Sequence, residues 1–170
     1  MTTTEQRLTG EHAEMLETLG KHRFFLRLTV QGLTDEQAAL TPTASELCLG
    51  GLIKHVTKAE LGWIDFALGG PETDKGPDYE GHLNSFRMLP GETLEGLLAE
   101  YEAAARRTDE LVASGVDLNK SWPLPEAPWF EPGASWSIRR VLMHIIAETA
   151  QHAGHADIIR ETIDGQKSMG

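Results

Sequence analysis

Four titratable residues of the C-terminal third, His144, Glu148, His152 and His155, stand four, four and three positions apart. At about 100° per residue in an α-helix, these spacings confine them to about 80° of arc. Val141, Ile145 and Ile159 fall within or beside that arc, so the stripe borders a face that packs inward. Imidazoles and a carboxylate beside a core are costly unless they find partners, and a metal ion is one such partner. Glu148 and His152, at i and i+4, have the most favourable spacing for sharing an ion. His144 and His152 lie about 12 Å apart along the axis and cannot both reach it, so one of the four is a spare. Upstream, His55 sits at the edge of an apolar stripe, near Ala59 and Phe66 in helical projection and away from Lys54 and Lys58. One histidine from there and two residues a turn apart on the later helix would present three N/O ligands around an open position, as in a catalytic zinc site. The same spacing also serves a solvated helix face with an internal salt bridge, or hydrogen-bonded core histidines, and periodicity alone does not choose between these readings. Neither His-Glu-x-x-His nor Glu-x-x-His occurs, which removes the common zinc-protease motif and the carboxylate-bridged di-iron bundle.

Four helical segments must position these groups. Leu8, Met15, Leu19, Leu26 and Val30 recur at helical spacing, with Gly32 where a helix C-cap would stand. Thr34 and Gln37 read as a capping box opening a short turn before Pro42. After Ser45, a stripe from Leu49 through Leu52, Ile53, Val56 and Trp63 to Phe66 predicts a second long helix that stops at Gly69-Gly70-Pro71. Residues 71–92 show no periodicity and read as a long connection. Thr93 caps a third helix that closes at Gly115. Residues 116–134 hold four of the eight prolines together with Trp122, Trp129 and Phe130, and read as a functional or groove-packing loop. The last helix opens near Ser135 or Ser137 and ends at Asp164-Gly165. No strand is predicted, so the fold class is all-α, a four-helix bundle with long crossover loops, occupying residues 1–170 as one domain. Helices one and two are expected as neighbours, and the two long loops allow an up-down-down-up order.

Composition narrows the partners. A formal charge of −11 repels phosphate backbones and anionic lipid, so neither nucleic acid nor a membrane is expected. No apolar run approaches the roughly 20 residues of a membrane span, and the N-terminal stretch lacks a signal-peptide pattern. The single cysteine, Cys48, forms no intramolecular disulfide and suits a reducing compartment, so a cytoplasmic protein is expected. Cys48 lies about 10 Å from His55 along the helix axis, too far to ligate the same ion, and reads as a small packed residue. Trp63 reads as core, whereas Trp122, Trp129 and Trp136 are candidates to wall a pocket.

Three blocks in order carry a resemblance. The segment Ser137 to Gly165, with Arg139-Arg140-Val141-Leu142-Met143-His144 leading into Glu148-Thr149-Ala150-Gln151-His152-Ala153-Gly154-His155, resembles the last helix of the DinB-like superfamily. Leu49-Gly50-Gly51-Leu52-Ile53-Lys54-His55 is similar to the second-helix motif of that family, and Gly32-Leu33-Thr34-Asp35-Glu36-Gln37 follows helix one as it does there. The resemblance implies a four-helix bundle holding a divalent metal through one residue of helix two and two residues four apart on the last helix, which by position are His55, Glu148 and His152. Many members carry histidine at the middle position. Glu148 departs from that pattern and is similar to the branch of mycothiol-dependent isomerases and transferases.

The implied chemistry is a metal-dependent transfer of a low-molecular-weight thiol, mycothiol-like, to a small electrophile, with zinc as the ion and nickel as second choice. A metal deprotonates a bound thiol, so no protein cysteine has to supply the sulfur. His144 and His155 then take supporting roles around the ligands. Two other readings stand beside this one: a non-catalytic helical bundle that binds metal or ligand, and a metal-dependent hydrolase in which water attacks. A homodimer is compatible with all three.

Overall fold

The computed structural model of the chain describes residues 8, 10–72 and 78–169. Their elements, in order, are α1 (Glu11–Leu28), α2 (Asp35–Ala38), α3 (Leu49–Gly69), α4 (Tyr79–Ser85), α5 (Leu94–Ala113), β1 (Ser121–Pro123), β2 (Ser135–Ser137) and α6 (Ile138–Asp164). The fold is an all-α bundle of the four long helices, as the periodicity predicts. Local chemistry sets their ends. Thr34 and Gln37 make both bonds of the capping box, and Thr93 and Ser137 each accept the backbone N–H three residues on. Gly165 closes α6 in the left-handed region at φ 80°.

Two buried clusters reveal the topology. One joins Leu26 at the end of α1 and Val30 just beyond it to Leu52 at the start of α3, Leu97 early in α5 and Ile159 late in α6. The other joins Leu19 of α1, Ile64 at the end of α3, Val112 at the end of α5 and Val141 at the start of α6. The order is therefore up-down-down-up. Because α3 and α5 run in parallel, the chain must cross the full length of the bundle between them. Complete burial of each such Leu or Ile contributes roughly 1.5–3 kcal/mol.

Four sequence expectations need correction. Helix α1 ends at Leu28 rather than at Gly32, because Arg160 of α6 donates to the carbonyls of Thr29 and Gln31 at 2.9 Å each, satisfying them outside the helical ladder. Helices α1 and α3 are not neighbours. Each packs mainly on other partners, α1 on α6 and α3 on α5 and α6, so they occupy diagonal corners. The segment 71–92 contains α4, capped by Asp78, whose side chain accepts from the Gly81 N–H. The segment 116–137 contains an antiparallel ribbon in which Trp122 pairs with Trp136. Strands of three residues are too short to show a period of two.

A polar network crosses the diagonal. Arg23 of α1 pairs with Glu60 of α3, and both are buried, at 2% and 1% exposure. Thr108 of α5 donates to the same Glu60 oxygen at 2.6 Å, and Arg23 also reaches Asp109 at 2.8 Å. Among the described residues, no helix is long and apolar enough to cross a membrane.

Candidate metal centre

Helix α3 begins at Cys48, whose extended backbone and sulfur, accepting from the Gly51 N–H at 3.3 Å, make it the N-cap. Its thiol points to the Phe86 carbonyl at 3.7 Å, so this residue is a structural anchor for the crossover. The two glycines that follow have a steric purpose. A Cβ on Gly51 would collide with the Phe86 carbonyl, and one on Gly50 would collide with the Met88 side chain. Their absence lets residues 86–88 lie directly on α3. Lys54 secures the same stretch, donating to the Arg87 carbonyl at 3.0 Å and to Glu92 at 2.9 Å. The crossover is thereby fixed beside His55.

His55, Glu148 and His152, the ligands that the resemblance implies, lie together, each offering one possible ligand atom within 4.8 Å of the others. Glu148 Oε2 lies 3.5 Å from Nε2 of both histidines. Two ligand atoms about 2 Å from one ion in tetrahedral geometry stand about 3.3 Å apart, so these spacings suit a shared cation. The histidine side chains are 12% exposed and the carboxylate 27%, so one side remains open to solvent.

The hydrogen bonds of both rings are compatible with such a use. Ser85 donates its hydroxyl proton to the His82 carbonyl at 2.6 Å, so its oxygen is left to accept from His55 Nδ1 at 2.9 Å. That bond puts the proton of His55 on Nδ1 and leaves the Nε2 lone pair facing Glu148. His155 Nδ1 lies 3.3 Å from His152 Nδ1, and when it accepts there, His152 Nε2 is freed in the same way. With both rings protonated and no ion between them, N–H bonds from His152 and then His55 hold the Glu148 carboxyl far below the usual carboxylate range, overcoming the opposing effect of burial, and a shared cation would take the place of those two protons. An anion between two imidazole lone pairs is a donor set for a borderline divalent ion.

His144 stays outside the trio. Its Nε2 is 3.9 Å from the other Glu148 oxygen, and its ring meets Trp63 and Trp136 edge-on at centroid distances of 4.9 and 5.1 Å. Burial pushes its pKa down against the pull of Glu148. Trp63, expected as core, is partly buried against the second cluster and also faces the site. It stacks on Trp136 at 4.7 Å and 17°, forming a wall of a cleft of about 580 Å³ over the trio. Trp122, expected near the pocket, instead anchors the ribbon by donating its indole N–H to the Ala67 carbonyl at 3.0 Å. Sequence reading missed His82, Ser85 and Phe86, which close the cleft from α4 and the residue after it. Phe86 stacks on His55 at 3.9 Å. The three residues are spaced i, i+3, i+4, a one-turn signal hidden among glycines and prolines.

The model of the mycothiol-S-transferase family matches residues 14–165. The chain belongs to the mycothiol-S-transferase family. This is a DinB-like family, and the match runs from the first turn of α1 to the end of α6 and includes the three site residues. A divalent metal is plausible for mycothiol-S-transferases, and the His-Glu-His cluster is the place in this chain where one fits. No curated protein sequence matches. Among solved structures, the chain is similar to "the conserved protein of locus from Enterococcus faecalis", with a TM-score of 0.69 and 14% identity over 94% of this chain and 100% of that one. At that identity the likeness carries the bundle fold alone. The mycothiol-S-transferase family itself implies a small-molecule thiol as substrate.

Proposed function

We propose that residues 1–170 act as one domain that transfers a low-molecular-weight thiol of the mycothiol type to a small electrophile, using a divalent ion, zinc in preference to nickel, held by His55, Glu148 and His152. The observation that carries this reading is the Ser85 hydroxyl, which fixes the His55 tautomer so that its free lone pair faces an anionic Glu148. When bound, the ion supplies Lewis acidity and lowers the pKa of a thiol that reaches it. The chain's own residues do the rest. Ser85 and His155 orient the two imidazoles, and Glu148 lowers the net charge of the site. Trp63, Phe86 and His144 restrict water at the wall, while Gln151, Lys58 and His82 at the cleft offer polar contacts to a sugar-rich thiol. Cys48, capping α3, takes no part in sulfur chemistry.

The test pairs metal analysis with turnover. Wild-type protein should carry close to one equivalent of zinc, and His55→Ala and His152→Ala should lose it. Zinc-loaded protein should consume a haloaromatic electrophile fastest with mycothiol, against bacillithiol, glutathione and cysteine in parallel. Full metal occupancy in both variants removes the ligand assignment. Turnover without any thiol moves the reading to a hydrolase, and no rate above background with any thiol moves it to a binding protein.

A further inference from the structure

The cleft over the trio does not end at Trp63. Lys58, Ala59 and Trp63 line it on one side and, on the other, line a second groove of about 910 Å³ between the C-terminal half of α3 and residues 125–130. The far wall of this groove is aromatic. Phe130 meets Trp63 and Trp136 edge-on at 6.5 and 5.8 Å, and Trp129 meets Phe130 at 6.2 Å while remaining 61% exposed. A ring-to-ring series therefore runs from His144 at the trio, through Trp136 and Phe130, to Trp129. The floor is open because Gly62 has no side chain, and a Cβ built there meets nothing within 4 Å.

We propose that this groove holds the electrophile, and that the electrophile it fits is a flat, uncharged aromatic compound whose reactive aryl or benzyl carbon reaches the junction at Lys58 and Trp63. This inference rests on the thiol-transfer reading above and adds the second substrate to it. Aromatic faces reward stacking of flat rings. Glu126 on the groove, in a chain of formal charge −11, opposes an anionic compound, while Asp65 beside it is paired with Arg107. Lys58 is the cationic side chain where the two cavities meet. In the reaction the thiol sulfur forms a bond to the aryl or benzyl carbon and the bond from that carbon to its leaving group breaks. The leaving group departs with the bonding pair as an anion beside Lys58, and the thiol proton passes to water. The products are a thioether, the anion and a proton, so no oxidant or reductant is needed.

Gly62→Leu gives a direct test, since leucine favours a helix and its Cβ at this position meets nothing within 4 Å, so the added side chain takes up groove space. The first readout is calorimetric binding of 1,3-dinitrobenzene, which has no leaving group, to metal-free protein without thiol. Saturable binding by wild type should weaken at least tenfold in Gly62→Leu. It should be unchanged in Phe24→Ala, which removes a ring of similar exposure, 60%, elsewhere on the surface. Equal binding by wild type and Gly62→Leu, or equal loss in Phe24→Ala, overturns the proposal. The second readout uses 1-chloro-2,4-dinitrobenzene with zinc-loaded protein. Gly62→Leu should raise KM for the electrophile while KM for thiol and zinc content stay at wild-type values. A rise in KM for thiol alone overturns it as well. Absence of zinc from wild type would count against the metal reading, and the metal-free binding measurement judges the groove separately.

Discussion

Ser85 Oγ lies 2.9 Å from His55 Nδ1, and it holds that ring from a helix belonging to the crossover rather than to the bundle. Hydrogen bonds of this kind to a ligating histidine are commonly worth about ten- to hundredfold in metal affinity. Ser85→Ala should therefore weaken zinc binding by about that factor and leave the helical signal intact. Competition with a chromophoric chelator measures it, and unchanged affinity would show that the hydroxyl does not tune the site.

Gly51 predicts a coupled effect. Its missing Cβ is the space occupied by the Phe86 carbonyl, so Gly51→Ala must push the crossover away from α3. We expect a loss of about 1–3 kcal/mol in stability, the usual cost of overpacking, together with weaker metal binding because Ser85 and Phe86 move with the backbone. Urea denaturation and chelator competition on one preparation would reveal both. A stability loss with wild-type metal affinity would uncouple crossover from site.

Arg23 and Glu60 form a buried pair spanning the bundle diagonal. Removing one partner strands the other's charge, so Glu60→Ala should cost about 3–5 kcal/mol. Replacing both together, Arg23→Met with Glu60→Leu, should recover most of the loss, because the one charge left without its partner, Asp109, is half exposed to water rather than buried. Denaturation midpoints of the three proteins decide the matter, and a double variant no better than Glu60→Ala would contradict it.

Glu92 makes acid stability predictable in sign. Burial alone would raise its pKa, but the Leu89 N–H and the Lys54 ammonium outweigh burial and hold it below the usual value. A carboxyl lowered in the folded state contributes stability fully above its unfolded pKa, about 4.3, and loses it as pH falls through the lowered folded value. Glu92→Gln should be less stable than wild type at pH 7 by about 1–3 kcal/mol, since Lys54 loses its charged partner. The gap should shrink below about pH 4. Urea midpoints compared at the two pH values test this, and a gap that widens in acid would refute the assignment.

The sequence by itself determined the features governed by near neighbours. Spacings of three and four along Leu49 to Phe66 and along Val141 to Ile159 specified two of the bundle helices. Thr34, Thr93, Ser137 and Gly165 marked ends with bonds that close within a few residues. The shared face of Glu148 and His152 followed from helix geometry alone. Choosing them with His55 from among four titratable residues on one stripe needed the family resemblance, because spacing treats the pairs 144/148 and 148/152 alike.

Tertiary structure decided what distant segments do to one another. Where α1 stops depends on Arg160, 131 residues after Thr29 in the chain. The stacking of Trp63 at the cleft depends on Trp136, which reaches it only once the ribbon pairs. Helix α4 has seven residues, its large apolar side chains Tyr79 and Leu83 are exposed, and it gains its place through buried Ser85 and through residues 86–88, which lie on the glycine surface of α3. Short helices are unstable alone and form where packing supports them. The residue that fixes the proton on His55 therefore lies in the segment whose local pattern was weakest, because its conformation is set by contacts made across the bundle.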